Sequence, residues 1–327
     1  MGTVSDTDTH PVPEPLASGN DADADALADA LADADAAAFA DDPLGGLLAV
    51  LDLLPVPADG QDVFSGHSRL QPWGRVFGGQ VLAQSLVAAQ RTVDPERGVH
   101  SMHGYFLRAG DGAEPITFTV ERLRDGRSFS ARRVHALQFG RPILSMIASF
   151  QRPDTGIDHA ATMPDVPPPE TLRSLIDYYP DVDTAPARYW QRKRPLDLRP
   201  VQQPIHVYPA APATSQAIWM RTVGPLPDDP ALHAAILAYS SDYNLLEPAL
   251  RAHGLTWSEP DLRVASLDHA MWWHRPARAD EWLLYVQDSP SASGARGLGI
   301  GRIYTRDGVL ACSVAQEGML RVAESLM

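Results

Sequence analysis

The sequence predicts an α+β fold in which a curved antiparallel sheet wraps around a central helix, and it predicts this unit twice along the chain. The first observation is a helical pattern over residues 76–90 that is apolar around most of its circumference, as in a buried helix. The second is a series of long strand-like segments after that helix, separated by Asp125-Gly126 and Gly140. The third is that the same succession of helix and strands returns after residue 212.

Apolar periodicity and turn residues define the individual elements. In the first half we expect a short helix over 44–54, ended by Pro55 and Pro57, the buried helix over 76–90, and strands over 101–108, 115–123, 127–138 and 142–151. In the second half we expect a strand over 216–223, a helix or two helical pieces over 231–250, and strands over 262–274, 281–289, 297–305 and 309–319.

Short sequence matches between the halves indicate an internal duplication. Ser130-Ala131-Arg132 matches Gly294-Ala295-Arg296 at an offset of 164 residues, and Ala148-Ser149-Phe150-Gln151 matches Ser313-Val314-Ala315-Gln316 at 165. Phe106-Leu107-Arg108 matches Trp273-His274-Arg275 at 167. Matches in the same order at a nearly constant offset are typical of repeated units.

Charge is unevenly distributed along the 327 residues, whose net charge is −14. Residues 1–68 contain 14 of the 41 acidic residues and neither Lys nor Arg, so the rest of the chain has 27 acidic and 27 basic residues. A neutral body argues against a nucleic-acid partner. The Ala- and Asp-rich residues 1–42 have few large apolar side chains to bury, and we expect a disordered acidic tail there.

The tail is followed by three further segments. We expect a first repeat over 43–152, a connector over 153–212, and a second repeat over 213–327. The connector contains 12 of the 29 prolines, including Pro167-Pro168-Pro169, and therefore cannot supply a central strand. A short helix over 170–179 is expected inside it.

The compartment is predicted from cysteine usage and from the apolar segments. A single cysteine, Cys312, excludes an intramolecular disulfide framework and fits a reducing environment. Residues 1–20 lack the basic start and apolar core of a signal peptide, and the apolar stretch 44–54 is too short to cross a bilayer. We therefore expect a cytoplasmic protein without a membrane span.

Asp242 is the first candidate functional residue. Ser240-Ser241-Asp242 interrupts the apolar helix of the second half, whereas residues 76–90 of the first half contain no carboxylate and have Gly78 and Gly79 instead. A carboxylate in apolar surroundings costs free energy unless it is paired, hydrogen-bonded or solvated by a cleft. The structural alternative is that Asp242 caps a second helical piece that begins near Tyr243.

Gln316 and Ser266 are the other two candidates. Strand alternation places Gln316 on the same face as Leu310, Cys312 and Val314, where it is either a functional amide or a strand-end side chain that reaches solvent. Alternation also places Ser266 on one face with Asp268 and Ala270, where a small hydroxyl is more often structural. Asp268 and His269 are adjacent and point to opposite faces, so they should not form an acid–base pair.

Several common functional motifs are missing from the sequence. It contains no G-x-S-x-G, H-E-x-x-H or G-x-x-x-x-G-K-[ST] motif, and its eleven histidines lack metal-ligand spacing. We therefore expect neither a metal nor a cofactor.

Five longer motifs resemble those of a known family. They are Arg75-Val-Phe-Gly-Gly-Gln80, His103-Gly-Tyr-Phe-Leu-Arg108, Arg124-Asp-Gly-Arg-Ser-Phe-Ser-Ala-Arg-Arg133, Asp268-His-Ala-Met-Trp-Trp-His-Arg-Pro276 and Gln316-Glu-Gly318. From about residue 44 onward the chain resembles acyl-CoA thioesterase II. The resemblance implies a double hotdog fold, with two tandem hotdog repeats that each wrap a sheet around a central helix.

The resemblance also implies a reaction and its residues. It implies hydrolysis of medium- to long-chain fatty acyl-CoA to free fatty acid and CoA, by a water that Asp242 activates together with Ser266 and Gln316. Backbone N–H groups of Gly78 and Gly79 are expected to bind the oxyanion or the substrate. A homodimer or larger homo-oligomer is expected. The alternatives are a catalytically silent acyl-CoA-binding hotdog protein and, less favoured, a hotdog enoyl-CoA hydratase.

Overall fold

The computed structural model describes residues 42–68 and 74–322. Its helices are α1 (Pro43–Leu51), α2 (Gly78–Gln90), α3 (Ala185–Gln191), α4 (Pro230–Ser241) and α5 (Glu247–Arg251). The strands of the first half are β1 (Leu54–Pro55), β2 (Asp62–Gly66), β3 (Gly98–Phe106), β4 (Ile116–Asp125), β5 (Phe129–Gln138) and β6 (Arg141–Gln151). Those that follow are β7 (Leu196–Pro200), β8 (Ser215–Thr222), β9 (Arg263–Ser266), β10 (Asp268–Trp273), β11 (Leu283–Ser293), β12 (Arg296–Thr305) and β13 (Leu310–Arg321).

The strands form one antiparallel sheet whose order is nearly symmetric about its centre. The order is β1-β2-β4-β5-β6-β3-β10-β13-β12-β11-β8-β7, with β9 paired to β13. Reading outward from the β3–β10 pair, β6, β5 and β4 on one side correspond to β13, β12 and β11 on the other. The predicted α+β class is confirmed, and the symmetry agrees with an internal duplication.

The central helices α2 and α4 pack against each other inside the sheet. Leu82, Leu86, Ile236 and Ala238 are fully buried, because neither helix has a face left for solvent. The two backbones come close at the first turn of α2, where a Cβ on Gly79 would collide with the carbonyl oxygen of Tyr239. Glycine at position 79 therefore permits this helix contact.

Most predicted elements are present, with shifted ends. The predicted helix over 231–250 is two helices, α4 and α5, and the predicted strand over 262–274 is two strands, β9 and β10. The helix expected over 170–179 is wrong, because two short 3₁₀ turns, Pro169–Thr171 and Leu175–Asp177, occupy that region.

Two differences concern the regions outside the repeated helix and strands. The connector contributes β7, which lies at the sheet edge where its proline is tolerated, and the helix α3. The paired strands β1 and β2 had no counterpart among the predicted elements. The proposed boundaries at residues 152 and 212 stay predictions, and the predicted tail over 1–42 lies, except for Asp42, outside the described residues.

Within residues 42–68 and 74–322, no helix is long and apolar enough to cross a membrane.

Candidate active site

The side chains of Asp242, Ser266 and Gln316 lie in contact with one another. Gln316 Nε2 donates to Asp242 Oδ1 at 2.9 Å and to Ser266 Oγ at 2.6 Å. The three residues come from the end of α4, from β9 and from β13, so residues 74 and 50 positions apart in sequence meet at one point. Asp242 and Ser266 are partly exposed, whereas Gln316 is buried beneath them.

Asp242 has a second hydrogen bond, which comes from the other repeat. The backbone N–H of Gly79 donates to Asp242 Oδ2 at 2.8 Å. Gly79 is in the first turn of α2, where backbone N–H groups lack partners within the helix and the helix dipole favours negative charge. In this geometry the Gly79 donor expected for an oxyanion is directed at the Asp242 carboxylate.

The alternative reading of Asp242 as the N-cap of a second helical piece that begins near Tyr243 is wrong. Asp242 directly follows the last residue of α4, and α5 begins five residues after Asp242, with Leu246 preceding α5 and no side-chain cap. The carboxylate is directed at Gly79 and Gln316, on other elements, and so contributes to a tertiary site.

Burial changes the protonation of Asp242. Desolvation raises its pKa, and the hydrogen bonds from Gln316 and the Gly79 backbone lower it in part, which leaves the pKa at about 6. None of these causes is a charged side chain. A carboxyl group with a pKa near neutrality can accept a proton during a reaction and release it afterwards.

A strand irregularity brings Ser266 to the site. Ser266 pairs with Gly318, but Ala270 pairs with Ala315, so the chain between them has one more residue than its partner strand. Such a bulge re-aims side chains. The expectation that Ser266, Asp268 and Ala270 share a face is therefore wrong, because Ser266 faces Gln316 while Asp268 Oδ1 accepts the Glu317 N–H.

Asp268 and His269 do not form a pair, as expected. His269 is buried and its Nε2 lies 2.8 Å from Ser241 Oγ, whereas the Asp268 carboxylate bonds to the neighbouring backbone. The structure gives no support to an acid–base pair of the kind that a hotdog hydratase needs.

Gln316 is not a strand-end side chain in solvent, since it is only 1% exposed. It lies on the buried face of β13 with Cys312 and Val314, in agreement with the predicted alternation. Because a carboxylate only accepts hydrogen bonds, the Gln316 amide lies with its NH₂ group toward Asp242. Both amide protons are thereby used, one on Asp242 and one on Ser266.

Aromatic side chains that the sequence reasoning missed surround the first turn of α2. The Phe77 ring lies 5.2 Å from the Tyr239 ring and 5.0 Å from the Tyr243 ring, measured between centroids. A Cβ on Gly78 would lie 3.1 Å from Phe106 Cζ and 2.7 Å from Asp242 Oδ2. The signal that could have found Phe77 and Tyr243 is their position beside Gly78 and Asp242 in sequence.

A second buried polar cluster is centred on the carboxylate of Glu247. His206, Asn244, Arg251 and Trp257 all contact the Glu247 carboxylate. Burial alone would raise the pKa of Glu247, but His206, Asn244 and Arg251 outweigh it and lower the pKa to about 2. The cavity beside this cluster is about 10 Å³, room for about one water, so the cluster fastens the connector to α5 instead of binding a substrate.

Two family models match the sequence. One, described as acyl-CoA thioesterase, matches residues 198–319, and the other, described as acyl-CoA thioesterase N-terminal domain, matches residues 67–151. Together they cover both predicted repeats.

Similar proteins and structures agree with these models. The chain is 41% identical to acyl-coenzyme A thioesterase 8 of Homo sapiens, over 86% of this chain and 92% of that protein. It is 36% identical to acyl-CoA thioesterase 2 of Haemophilus influenzae, over 80% and 93%. Among solved structures, an acyl-CoA thioesterase II from Mycobacterium marinum matches with a TM-score of 0.71 and 45% identity, over 85% of this chain and 99% of that chain.

A more distant structure supports the fold alone. A hotdog-fold protein from Alicyclobacillus acidocaldarius matches with a TM-score of 0.67 and 21% identity, over 85% of this chain and 98% of that one. With the curved sheet and the paired central helices, these matches confirm the double hotdog fold and the resemblance on which it was predicted. The chain therefore belongs to the acyl-CoA thioesterase family, a family of thioester hydrolases.

Proposed function

We propose that the protein hydrolyses medium- to long-chain fatty acyl-CoA to free fatty acid and CoA, with Asp242 as the general base. The observation that carries this proposal is the contact of Asp242 with Gln316 and Gly79 together with its pKa of about 6. The two Asp242 oxygens accept one hydrogen bond each in the structure, so acceptor positions remain for a water molecule.

The reaction needs one water and no covalent enzyme intermediate. Asp242 takes a proton from the water while the water oxygen bonds to the thioester carbonyl carbon, and negative charge develops on the carbonyl oxygen. The resulting tetrahedral intermediate collapses, the carbon–sulfur bond breaks, and the proton on Asp242 passes to the departing CoA sulfur. Assistance by a positioned base contributes on the order of 10²–10⁴ in rate.

Gln316 positions the other two side chains, and Ser266 positions the attacking water or the oxyanion. Both amide protons of Gln316 are engaged, so Gln316 holds Asp242 and Ser266 in place. Ser266 Oγ accepts from Gln316 and keeps its own proton, which it can donate to the attacking water or to the oxyanion. Gly79 N–H is used on Asp242, and we assign the neighbouring Gly78 N–H, at the positive end of α2, as the oxyanion donor.

The surroundings of the site support an acyl substrate of medium to long chain length. Phe77, Phe106 and Tyr243 give the first turn of α2 an apolar wall, which suits an alkyl chain. Two residues of β10 do not contribute to this wall, since Met271 is in the core and the Trp272 ring contacts the His103 ring edge to face.

We also propose a homodimer or larger assembly and a cytoplasmic location. Tyr105 is 63% exposed and Ile147 is 43% exposed on the neighbouring strands β3 and β6, and large exposed apolar side chains of this kind favour a subunit contact. Light scattering after size-exclusion chromatography tests the assembly, and a monomeric mass at micromolar concentration would contradict it.

The activity is tested by release of the CoA thiol, read with DTNB, from acetyl-, octanoyl- and palmitoyl-CoA. We expect wild-type turnover of the two longer substrates and a loss of roughly 10²–10⁴ in kcat for Asp242→Asn. Asp268→Asn is the matched control: it keeps a carbonyl oxygen for the Glu317 N–H, the Asp268 carboxylate does not bond to Asp242, Ser266 or Gln316, and the variant should stay within about threefold of wild type. Binding of octanoyl-CoA without any release of thiol would indicate the catalytically silent alternative.

A further inference from the structure

A buried histidine next to the candidate site has no part in the reaction as described so far. His269 lies on β10, directly after the bulge that brings Ser266 to the site, and is 1% exposed. Its Nε2 is 2.8 Å from Oγ of Ser241, the residue before Asp242. The side chain of Gln316 is the other polar group that acts on the ring, and its influence raises the pKa of His269 against the effect of burial.

Two buried atoms at this point lack any other partner. Among the described residues, His269 Nδ1 and Gln316 Oε1 are both buried and have no hydrogen-bond partner. An unsatisfied buried acceptor is costly, so a native structure rarely leaves one. A donor on Nδ1 would satisfy both atoms at once.

The direction of each hydrogen bond in this series follows from Asp242, the group at one end of it. Asp242 accepts only, so Gln316 must present NH₂ to it, and Gln316 Oε1 must then face away, toward His269. An acceptor at Oε1 requires a proton on Nδ1. In a neutral ring Nε2 is then the acceptor. The Ser241 hydroxyl has one proton and two acceptors in reach, the Ala238 carbonyl oxygen at 2.9 Å and His269 Nε2 at 2.8 Å, and in this arrangement it donates to Nε2.

We propose that His269 is a positioning residue whose Nδ1–H donates to Gln316 Oε1 and so locks the amide with its NH₂ group toward Asp242 and Ser266. The relay runs from the Ser241 hydroxyl through the His269 ring and the Gln316 amide to Asp242 and Ser266. This inference rests on the proposed role of Asp242 as the base. Burial lowers the pKa of His269 to about 4, which keeps the ring neutral at the pH at which the carboxylate is ionised.

Without the lock, the amide of Gln316 can turn over. Turned over, it presents oxygen to the Asp242 carboxylate, and like partial charges then oppose ionisation. Because the hydrogen bond from Gln316 lowers the pKa of Asp242, its loss raises that pKa. The proposal therefore predicts a change in the pH profile, which loss of packing alone would not produce.

The kinetic test compares His269→Leu with His269→Asn. Asparagine places an N–H close to the position of Nδ1, whereas leucine fills the space without a donor. We expect His269→Leu to lower kcat about 5- to 100-fold with little change in KM, the factor that corresponds to one lost buried hydrogen bond. We expect the acid limb of kcat/KM to move to higher pH in His269→Leu and to stay at the wild-type pH in His269→Asn.

Equal losses in the two variants, or a His269→Leu profile with an unchanged acid limb, would overturn the positioning role. Failure of the proposed function has a different outcome: Asp242→Asn would then retain wild-type turnover whatever the His269 variants do. Thermal unfolding of both variants checks that they fold.

A readout independent of activity is the tautomer of His269. In ¹⁵N-histidine-labelled protein, the signals of His269 are those that disappear in His269→Asn. Long-range ¹H–¹⁵N spectra at pH 7 should give the Nδ1–H tautomer, and Ser241→Ala, which removes the donor to Nε2, should weaken that preference. A predominant Nε2–H tautomer in the wild type would refute the proposed relay.

Discussion

The backbone N–H of Gly79 donates to Oδ2 of Asp242, although the two residues are 163 positions apart and belong to different repeats. The carboxylate comes from the end of α4 in the second repeat, and the N–H comes from the start of α2 in the first. Each repeat alone would supply half of the site. On the proposed mechanism, one carboxylate is enough for the two repeats, because the other repeat contributes its helix terminus and has glycine where a side chain would block the approach.

Substitution of Gly78 tests whether the close approach of the first turn of α2 to the Asp242 carboxylate is needed for activity. A Cβ at this position would lie 2.7 Å from Asp242 Oδ2, too close for any real contact, so Gly78→Ala must displace the carboxylate or the helix terminus. We expect kcat to fall at least tenfold, since a displacement of about 1 Å at a reacting group costs about that much or more. Gly98→Ala is the control, because Gly98 has open space around its Cα. Equal activity of the two variants would place the reaction elsewhere.

The activity should rise with pH through the pKa of Asp242. The base works only when it is ionised, so kcat/KM should increase through an apparent pKa of about 6 and level off above it. Since no charged side chain causes the shift, raising the salt concentration should move this apparent pKa little. Initial rates with octanoyl-CoA from pH 4.5 to 8.5, at low and high salt, measure both properties. A flat profile between pH 5 and 7 would exclude Asp242 as the base.

Asp242 should also lower the stability of the protein at neutral pH. Its pKa in the folded state, about 6, is above the ordinary value of 3.8, so the folded state binds the proton more tightly than the unfolded state. Below about pH 4 the group is protonated in both states and does not reduce the free energy of unfolding. As the pH rises through 6, ionisation of the buried carboxyl group reduces the free energy of unfolding. A shift of this size corresponds to up to about 3 kcal/mol.

Asp242→Asn removes that ionisation, so we expect its melting temperature to exceed the wild-type value by a few degrees at pH 8. The difference should shrink at pH 4.5, where the wild-type carboxyl group is protonated. Thermal unfolding followed by circular dichroism at the two pH values measures it. A variant that is less stable than the wild type at pH 8 would mean that the carboxylate is better solvated than its burial indicates.

The sequence predicted the repeated part of the fold well, because long strands and two very apolar helices leave strong periodic signals. The helix over 76–90 and the strand over 309–319 differ from α2 and β13 by no more than two residues at each end. The short strands β1 and β2 were missed because prolines and turn residues surround them and because pairing with β4 holds β2 in place. The connector was difficult for a related reason, since β7 is ordered by β8 and has little strand character of its own.

The candidate residues could be named from the sequence, but their geometry could not. The resemblance pointed to Asp242, Ser266 and Gln316, and the contrast between the halves pointed to Asp242. The bulge between Ser266 and Ala270 is a one-residue register change that period-two alternation cannot reveal, and it determines that both Ser266 and His269 face Gln316. The direction of the Gly79 N–H depends on how α2 and α4 approach each other.

Ser266 should be replaceable by another hydroxyl residue only. Ser266→Thr keeps the acceptor for Gln316 Nε2 and the free proton, and the position is partly exposed. We expect Ser266→Thr to retain kcat within about fivefold and Ser266→Ala to lose tenfold or more, because the alanine variant leaves a Gln316 proton without its acceptor. Steady-state kinetics with octanoyl-CoA compare them, and an alanine variant as active as the threonine variant would show that the hydroxyl is dispensable.

Changes in the Glu247 cluster should lower the free energy of unfolding without changing the kcat of the folded protein. Arg251 is buried with Glu247 at 3.2 Å, and it also donates to Gln216 Oε1 and to the carbonyl oxygen of Gln203 in the connector. Replacing it with leucine leaves the Glu247 carboxylate buried with one charge partner fewer, which costs about 3–5 kcal/mol.

Arg296→Ala shows how much of the effect of Arg251→Leu comes from the burial of the ion pair, because Arg296 forms an exposed ion pair. Arg296 pairs with Glu317 at 2.9 Å, a shorter distance than that of the Arg251 pair, but 49% of its side chain is exposed to solvent. Exposed pairs contribute only about 0–1 kcal/mol, so the shorter ion pair should be the weaker one. Thermal unfolding should therefore give a large drop for Arg251→Leu and almost none for Arg296→Ala, with kcat near wild type for whatever fraction of each variant is folded. Similar drops for the two variants would mean that the connector is held by packing and owes little to the buried charges.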